Sequence, residues 1–575
     1  MSFLKKFNSK LKGFTNAVFR FPLTTLFLVA AAVMNAHAIN TGQNHSKWLL
    51  TFVVGAFLSA VFQAIYERFF SKISARVMLM GIVPLLTAGY YLIIMSAPEL
   101  SIETQIRTAV SLFALFIAFI WVPAIKSNIS FNKSFMIAFK SFFHSLFFSV
   151  IIFIGVWLIL IAADTLIFPV DSKSYLHVAN IIFMIFTPMY FLSMIPAFSK
   201  EEIDEAARVP KFLEILISYV AIPLLTVFTL ILLIYIIKNI SGKFWTDNLL
   251  EPMLVSYAIT VILLYLLASE LENKFTAIFR KIFPKMLVII VLFQIASSIL
   301  GLEDKGMTHT RYFVILFGIY AAIAGVLLSF LPVQKNGVIA GMLIMFAAVS
   351  IVPPVDAFTV SRISQTNMLK NALVKNHMLK NNKIQPNASI SDRDKKMITN
   401  AVDYLYMMGY SKNMNWLPAD FNAYQDFDTT FGFKRYQEST AANEMVFLRL
   451  KQPAPIPITG FDTFVQTEIH SGGHGTETIC EMKKAGETYA LFNDQQNQII
   501  LTEKNGGELI RFNTQEIFDR FKDYSSAEKQ MTATEATFTK ENDQARLTIV
   551  VQDAEVEKQK QRINNAMLYV FVEVK

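Results

Sequence analysis

Eleven apolar segments, each long enough to cross a bilayer, fill residues 1 to 354, and a polar stretch of about 220 residues follows them. A hydrocarbon layer about 30 Å thick takes about 20 helical residues to cross. Within it every backbone N–H and C=O has to find its partner inside the protein, which leaves helices or a closed barrel. The segments are too long for barrel strands, so the expected fold is a polytopic α-helical membrane bundle of about eleven spans followed by a soluble α+β domain. The first six spans are expected at Phe21 to Ala38, Trp48 to Tyr66, Val77 to Met95, Ala109 to Ile125, Phe142 to Phe168 and Val178 to Phe198. The other five are Phe212 to Ile237, Met253 to Ser269, Met286 to Leu302, Tyr312 to Leu331 and Val338 to Pro353.

Composition agrees with a lipid solvent. Hydrophobic residues make up 54% of the 575, and the mean hydropathy of +0.43 exceeds that of a chain needing a charged exterior. The net charge of +8 does not point to a nucleic acid, because its excess sits in the loops of the apolar region. Residues 1 to 354 hold 26 Lys+Arg against 16 Asp+Glu, and the remainder holds 26 against 28. Such a distribution fits membrane topology and anionic lipid. Cys480 is the single cysteine, so no intrachain disulfide and no cysteine cluster for zinc can form.

Counted on alternate sides of the spans, 19 Lys and Arg fall on one side and seven on the other. Positive loops stay cytoplasmic, so the N-terminus is expected in the cytoplasm. An odd number of crossings then puts the tail outside. Residues 1 to 20 are a basic leader with Phe3, Leu4, Phe7, Leu11, Phe14 and Val18 at helical spacing. They read either as a helix in the headgroup plane or as a solvated orienting segment. The first span looks retained rather than cleaved as a signal.

Pro84, Pro123, Pro188 and Pro223 interrupt spans, and each removes one backbone bond and predicts a kink. Ser199 stands three residues before Glu202, a capping-box spacing that opens a short interfacial helix ending at Pro210. No internal repeat is visible.

Beyond Pro353-Pro354, residues 355 to 381 read as a helical stalk and 382 to 575 as an extracytoplasmic α+β domain. Ser391 to Met408 has a helix pattern ended by Gly409, and Thr514 to Tyr524 a shorter one. Strands are expected at Met445 to Leu450, Phe461 to Ile469, Glu487 to Phe492, Gln498 to Thr502, Gly507 to Phe512, Ala545 to Val551 and Ala566 to Val574. Asn505-Gly506-Gly507 suits a hairpin turn.

Ionisable groups inside lipid are functional candidates by default. Asp164, near the end of the fifth span, is the main one, read either as part of a cation or proton path or as a helix-end carboxylate. Asn35, Gln63, His144 and Gln294 read as bonds to neighbouring helices. The most polar junction holds Asp304, Lys305, His309, Arg311 and Tyr312, ahead of the tenth span. Its segment Thr308-His309-Thr310-Arg311-Tyr312, opening an apolar helix late in a many-span chain, resembles a bacterial membrane-protein family known as the domain of unknown function numbered four-one-five-three. The resemblance would cover residues 1 to about 354. It implies a many-helix inner-membrane protein and carries no activity or catalytic residue with it.

Glu468, His470, His474, Glu477 and Cys480 gather around a glycine-rich connection, an arrangement read as a solvated turn rather than a metal site. No phosphate-binding Gly-Lys-Ser/Thr loop, no Gly-x-Ser-x-Gly elbow and no His-Glu-x-x-His occurs. No catalytic residue, metal or cofactor is therefore assigned. The lipid bilayer is the expected partner, with other envelope proteins beside it; nucleic acid is not expected, and a small-molecule substrate is not identified. The leading expectation is a non-enzymatic role in envelope upkeep, sensing or assembly. A transporter or flippase with a proline-kinked path is one alternative, and an envelope enzyme acting on lipid-linked substrates is another.

Overall fold

The computed structural model describes residues 13–575 apart from 96–99, 198–199, 240–249, 419, 437–444, 471–476, 495–497, 505, 525–527 and 559. It divides into two compact units, Met1–Arg435 and Tyr436–Lys575. Among the described residues of the first unit, eleven helices are long and apolar enough to cross a membrane. In order they are Pro22–Thr41, Ser46–Phe69, Ile73–Met95, Ile102–Ala124, Phe131–Leu166, Ser172–Ser193, Lys211–Lys238, Glu251–Ala268, Lys274–Leu300, His309–Phe330 and Val333–Ile351. Each falls on one expected span, so the protein is a multi-pass membrane protein.

The fifth and ninth helices start about three turns before their apolar stretches. Lys133 and Lys140 lie in the early turns of the fifth, and the Lys140 ammonium bonds the carbonyls of Ala206 and Arg208. Hydropathy marks where lipid begins, not where a helix begins. The 36-residue fifth helix is about 54 Å long at 1.5 Å per residue, well over a bilayer's hydrocarbon thickness.

Three of the four expected proline breaks appear as departures from α geometry. Val122–Ala124 is a 3-10 turn around Pro123. Ile181–Phe186 and Leu216–Ala221 are π-helical, and they end just before Pro188 and Pro223. Proline lacks an N–H and its ring crowds the carbonyl one turn earlier, so the preceding turn widens. Thr187 Oγ1 donates to the Ile182 carbonyl over 2.8 Å and helps satisfy the widened turn. Pro84 stays inside a continuous helix, as does Pro284.

Small residues let the spans approach closely. A Cβ on Gly325 would lie 2.9 Å from the Pro284 carbonyl oxygen, and one on Gly318 would lie 2.9 Å from Ile295. The tenth span therefore meets the backbone of the ninth at Gly325 and the Ile295 side chain at Gly318. The bundle core runs through Leu287, Ile290 and Val291 of the ninth span to Tyr257, Val261 and Tyr265 of the eighth.

After the eleventh span, α1 (Ala357–Lys375) and α2 (Asp392–Met407) form a cap, with a two-residue hairpin, β1 (Leu379–Lys380) and β2 (Lys383–Ile384), between them. The segment expected as a stalk is thus α1, inside the first unit. Asp356 caps α1 through the amides of Phe358 and Thr359, and Ser391 caps α2 through that of Asp394. Phe358, Leu369, Leu373, Ile398, Val402 and Leu405 make a core with Phe427 and Phe431 of α3 (Phe427–Phe431). That core rests on Ile106 of the fourth span and on Tyr312 and Phe313 of the tenth.

The second unit is built from two sheets. One has the order β4-β12-β11-β3-β9, with β10 added beside β11, and the other is the meander β5-β6-β7-β8. Their strands are β3 (Met445–Leu450), β4 (Thr463–His470), β5 (Glu477–Lys484), β6 (Glu487–Asn493), β7 (Gln498–Glu503), β8 (Glu508–Asn513), β9 (Glu528–Met531), β10 (Thr537–Glu541), β11 (Ala545–Glu557) and β12 (Arg562–Val574). Among the described residues, only β3 and β9 pair in parallel. Leu491, Ile499, Leu501 and Phe512 of the meander share one core with Leu547, Ile549, Leu568 and Val570 of the larger sheet. The helix α4 (Gln515–Phe521) adds Ile517, Phe518 and Phe521. Every expected strand is present; β5, β9 and β10 were not expected.

Candidate functional site

The polar centre of the first unit lies where the cap meets the fourth and tenth spans. Ser101 caps the fourth span, and Glu103 and Arg107 stand one turn apart on it. The Arg107 guanidinium reaches Glu103 Oε1 at 2.8 Å and Asp356 Oδ1 at 2.7 Å, and it also donates to the Ile351 carbonyl. Its Cζ lies 4.9 Å from the centroid of the Phe358 ring, a cation–π distance. Tyr410 donates to the other oxygen of Glu103, Oε2, over 2.7 Å, and Arg362 stacks on the Tyr410 ring at 5.6 Å. One guanidinium thus holds a carboxylate of the bundle and a carboxylate of the cap.

The protonation of this network follows from its surroundings. Burial works to raise the Asp356 carboxyl, but the Thr359 side chain and amide, Arg107 and the Phe358 amide outweigh it, so Asp356 sits below the usual carboxylate range. Burial, followed by the bond to Glu103 and its charge, pushes the Tyr410 phenol far up. Tyr410 is a permanent donor at neutral pH. Burial also raises Tyr404, against its bonds to Ser361 and the His309 amide.

A second bracket starts at His309, the first residue of the tenth span. Its main-chain N–H donates to the Tyr404 hydroxyl at 3.0 Å, and its Nδ1 lies 2.9 Å from the same oxygen. Tyr404 donates its own proton to Ser361 Oγ at 2.9 Å, which assigns the proton on the imidazole to Nδ1. The ring stacks on Phe358 with centroids 5.9 Å apart. Arg311 turns away from solvent, and its Nη1 bonds the carbonyls of Gly301 and Gly306 at 3.3 and 3.1 Å. The Tyr312 hydroxyl donates to the Val355 carbonyl. Gln365 of α1 reaches back to the carbonyls of Lys305 and Met307 at 2.9 and 3.2 Å. Gly306 has a φ of +64, and a Cβ there would lie 2.8 Å from the Gln365 amide nitrogen. The close approach requires glycine.

The structure thus brings together His309, Arg311 and Tyr312 as expected: His309 and Tyr312 fasten the tenth span to Tyr404 and to the Val355 carbonyl, and Arg311 ties down the link between the ninth and tenth spans. Asp304 lies in the short helix Leu302–Lys305, and its side chain is outside the described residues. Asp164 is elsewhere: it is exposed at the end of the fifth span, where Oδ1 accepts from the Val170 amide at 2.7 Å. That is the geometry of a helix-end carboxylate. Asn35 donates to Asn180 at 2.9 Å, Gln63 to Glu67 at 2.8 Å and Gln294 to the Val314 carbonyl at 3.3 Å. His144 lies against Phe148 and Tyr190. In the second unit, Glu468 and His470 end β4 with 3.6 Å between Oε1 and Nε2, and Cys480 lies on β5. His474 and the glycines beside it are outside the described residues.

Sequence reading missed Glu103, Arg107, Asp356, Tyr404 and Tyr410. Arg107 counted only as a topological charge. Its spacing from Glu103 was the available signal, and Asp356 two residues after a Pro-Pro pair was a cap signal. Nothing local marked the tyrosines.

The opposite face of the bundle carries its own ionic knot. Arg20 holds Glu67 with two bonds of 2.8 and 2.7 Å, Gln63 donates to the same carboxylate, and Arg76 bonds Gln63 at 3.1 Å. A cavity of about 20 Å³ lies beside Arg20 and Glu67, room for about one water.

Compared with protein-family models, residues 15–388 match the one described as Domain of unknown function (DUF4153). The match runs past the eleventh span and takes in α1, so the family region includes the first helix of the cap. No curated protein and no solved structure matches the chain.

Proposed function

The chain belongs to the family described as Domain of unknown function (DUF4153), and we propose that it is a non-enzymatic protein of the bacterial inner membrane that holds an exported domain in place for envelope upkeep, sensing or assembly. On this reading the basic loops lie in the cytoplasm, while the cap and the α+β unit lie outside. The count of 19 basic residues against seven supports that direction. So does the placement of Arg20, Arg68, Lys126 and Arg280 at the end of the bundle away from the cap.

One observation carries the reading. Arg107 binds Glu103 of the fourth span and Asp356 of the cap together, and Tyr410 closes on Glu103 from the cap. Glu103, Arg107, Tyr404 and Tyr410 at this junction are joined to each other, to Asp356, to Ser361 and to a backbone carbonyl. The arrangement suits a fixed joint between the cap and the spans, so that a load or signal that reaches the cap passes directly to the fourth span.

The test is complementation of a deletion strain with Glu103→Gln combined with Tyr410→Phe. The expected result is detergent or osmotic sensitivity like that of the deletion, with normal amounts of protein in the membrane. Full complementation by this variant removes the joint from the function.

A further inference from the structure

We propose that the groove between the fourth and eleventh spans on the basic face is a binding site for the headgroup of an anionic phospholipid. The groove is open and has a volume of about 360 Å³, within the range of small-ligand sites. Trp121 forms one wall, at the end of the fourth span. Its indole lies across two glycines of the eleventh span: a Cβ on Gly337 would lie 3.4 Å from Nε1, and one on Gly341 would lie 2.7 Å from Cζ2. The ring is therefore seated where a larger residue on the eleventh span would displace it.

The chemistry changes along the groove. Ile125, Phe131 and Val338 line it with Trp121, and Val338 is exposed. Lys126 and Lys335 line its polar side, both exposed, and neither ammonium has an ion-pair partner among the described residues. The neighbouring basic residues are engaged: Lys133 pairs with Asp204 at 2.6 Å, and Arg68 bonds the carbonyls of Ile125 and Lys126. The carboxylate adjoining the groove is Glu270, which accepts from Ser130 Oγ at 3.4 Å. Burial raises Glu270, with Lys133 opposing, so it offers an anion less repulsion than an exposed glutamate.

Two exposed ammonium groups beside an aromatic and aliphatic wall, at the end of two membrane spans, match one ligand chemistry: a phosphodiester with acyl chains continuing into the bilayer. A zwitterionic headgroup would set its own cation against the lysines. A free phosphate would leave the apolar wall in water. The inference rests on the eleven spans and is independent of the proposed joint, which lies at the other end of the bundle.

The experiment uses the purified full chain in neutral detergent, titrated with dioleoyl phosphatidylglycerol, dioleoyl phosphatidylcholine or inorganic phosphate, with ligand-induced shifts in thermal unfolding as the readout. The wild type is expected to bind the anionic lipid at least about tenfold more tightly than the zwitterionic one, and the Lys126→Gln/Lys335→Gln variant to lose that preference. Lys383→Gln/Lys412→Gln, in the cap region, is expected to keep it. Equal preference in the groove variant and wild type overturns the site, as does inorganic phosphate matching the lipid. Should the groove variant fail to fold, a photoactivatable phosphatidylglycerol probe on the wild type decides. Adducts within residues 121–131 or 334–338 support the site, and adducts confined elsewhere overturn it.

Discussion

Tyr410 of the cap donates its hydroxyl proton to Glu103 of the fourth span across 2.7 Å, although 307 residues separate them in sequence. Glu103 in turn is held by Arg107, whose second partner, Asp356, is fully buried. The cap and the bundle therefore share one charge network, and removing Arg107 leaves the buried Asp356 carboxylate without its ion pair.

Arg107→Ala should cost about 3–5 kcal/mol, the range for breaking a buried ion pair from one side. Arg107→Lys should cost less, because an ammonium can still neutralise Asp356 but cannot hold both carboxylates in the fork geometry of a guanidinium. Thermal unfolding and limited proteolysis of the cap in the full chain measure both. Equal stability of wild type and Arg107→Ala would show that the network does not hold the cap.

Two cap carboxylates predict the acid limit of this attachment. Burial tends to raise Asp394, but Lys375, Ser391 and Asn376 outweigh it and hold it below its ordinary value, as the contacts already described do for Asp356. A carboxyl depressed in the folded state contributes stability that is present above its unfolded pKa of about 4 and lost as pH falls through the lower folded value. Cap stability should therefore be level from about pH 7 to 5 and decline below about pH 4. Asp394→Asn should lower the plateau and weaken the decline, as read by protease protection across pH.

Gly325→Ala should destabilise the bundle by about 1–3 kcal/mol, the usual cost of overpacking, because its Cβ would press on the Pro284 carbonyl at 2.9 Å and on Val288 at 2.7 Å. Gly89→Ala is the control, since a Cβ there meets nothing within 4 Å and alanine favours the helix. The reverse order in a thermal scan would mean that the ninth and tenth spans do not pack this closely.

Asp164→Asn should change stability by no more than about 0.5 kcal/mol, as for exposed positions away from special features, because the amide oxygen can still accept from Val170. Growth across pH is expected to match wild type. A pH-dependent defect at normal expression would restore Asp164 as part of a proton or cation path.

The spans were legible because lipid demands a long unbroken apolar run, and the strands because β-branched residues cluster between turns. Helix ends were less so: the fifth span starts at Phe131, where Lys133 and Lys140 mask a helix that continues outside the hydrocarbon. The strand β9 was hidden because Glu528, Lys529 and Gln530 carry no apolar alternation and owe their place to parallel pairing with β3. At the junction, His309, Arg311 and Tyr312 stood out as polar residues at a span end. Tyr404 and Tyr410 did not, since an aromatic on a polar helix or in the turn after it announces nothing until the fold brings it to His309 or Glu103.

The central claim is that the cap and everything after it lie across the membrane from the basic loops. It is tested by single cysteines in a Cys480→Ala background, labelled in intact bacterial cells with a membrane-impermeant maleimide. Lys575→Cys and Lys383→Cys should label without permeabilisation, and Asn128→Cys only after it. Labelling of Asn128→Cys in intact cells, with Lys575→Cys and Lys383→Cys protected, would contradict the account.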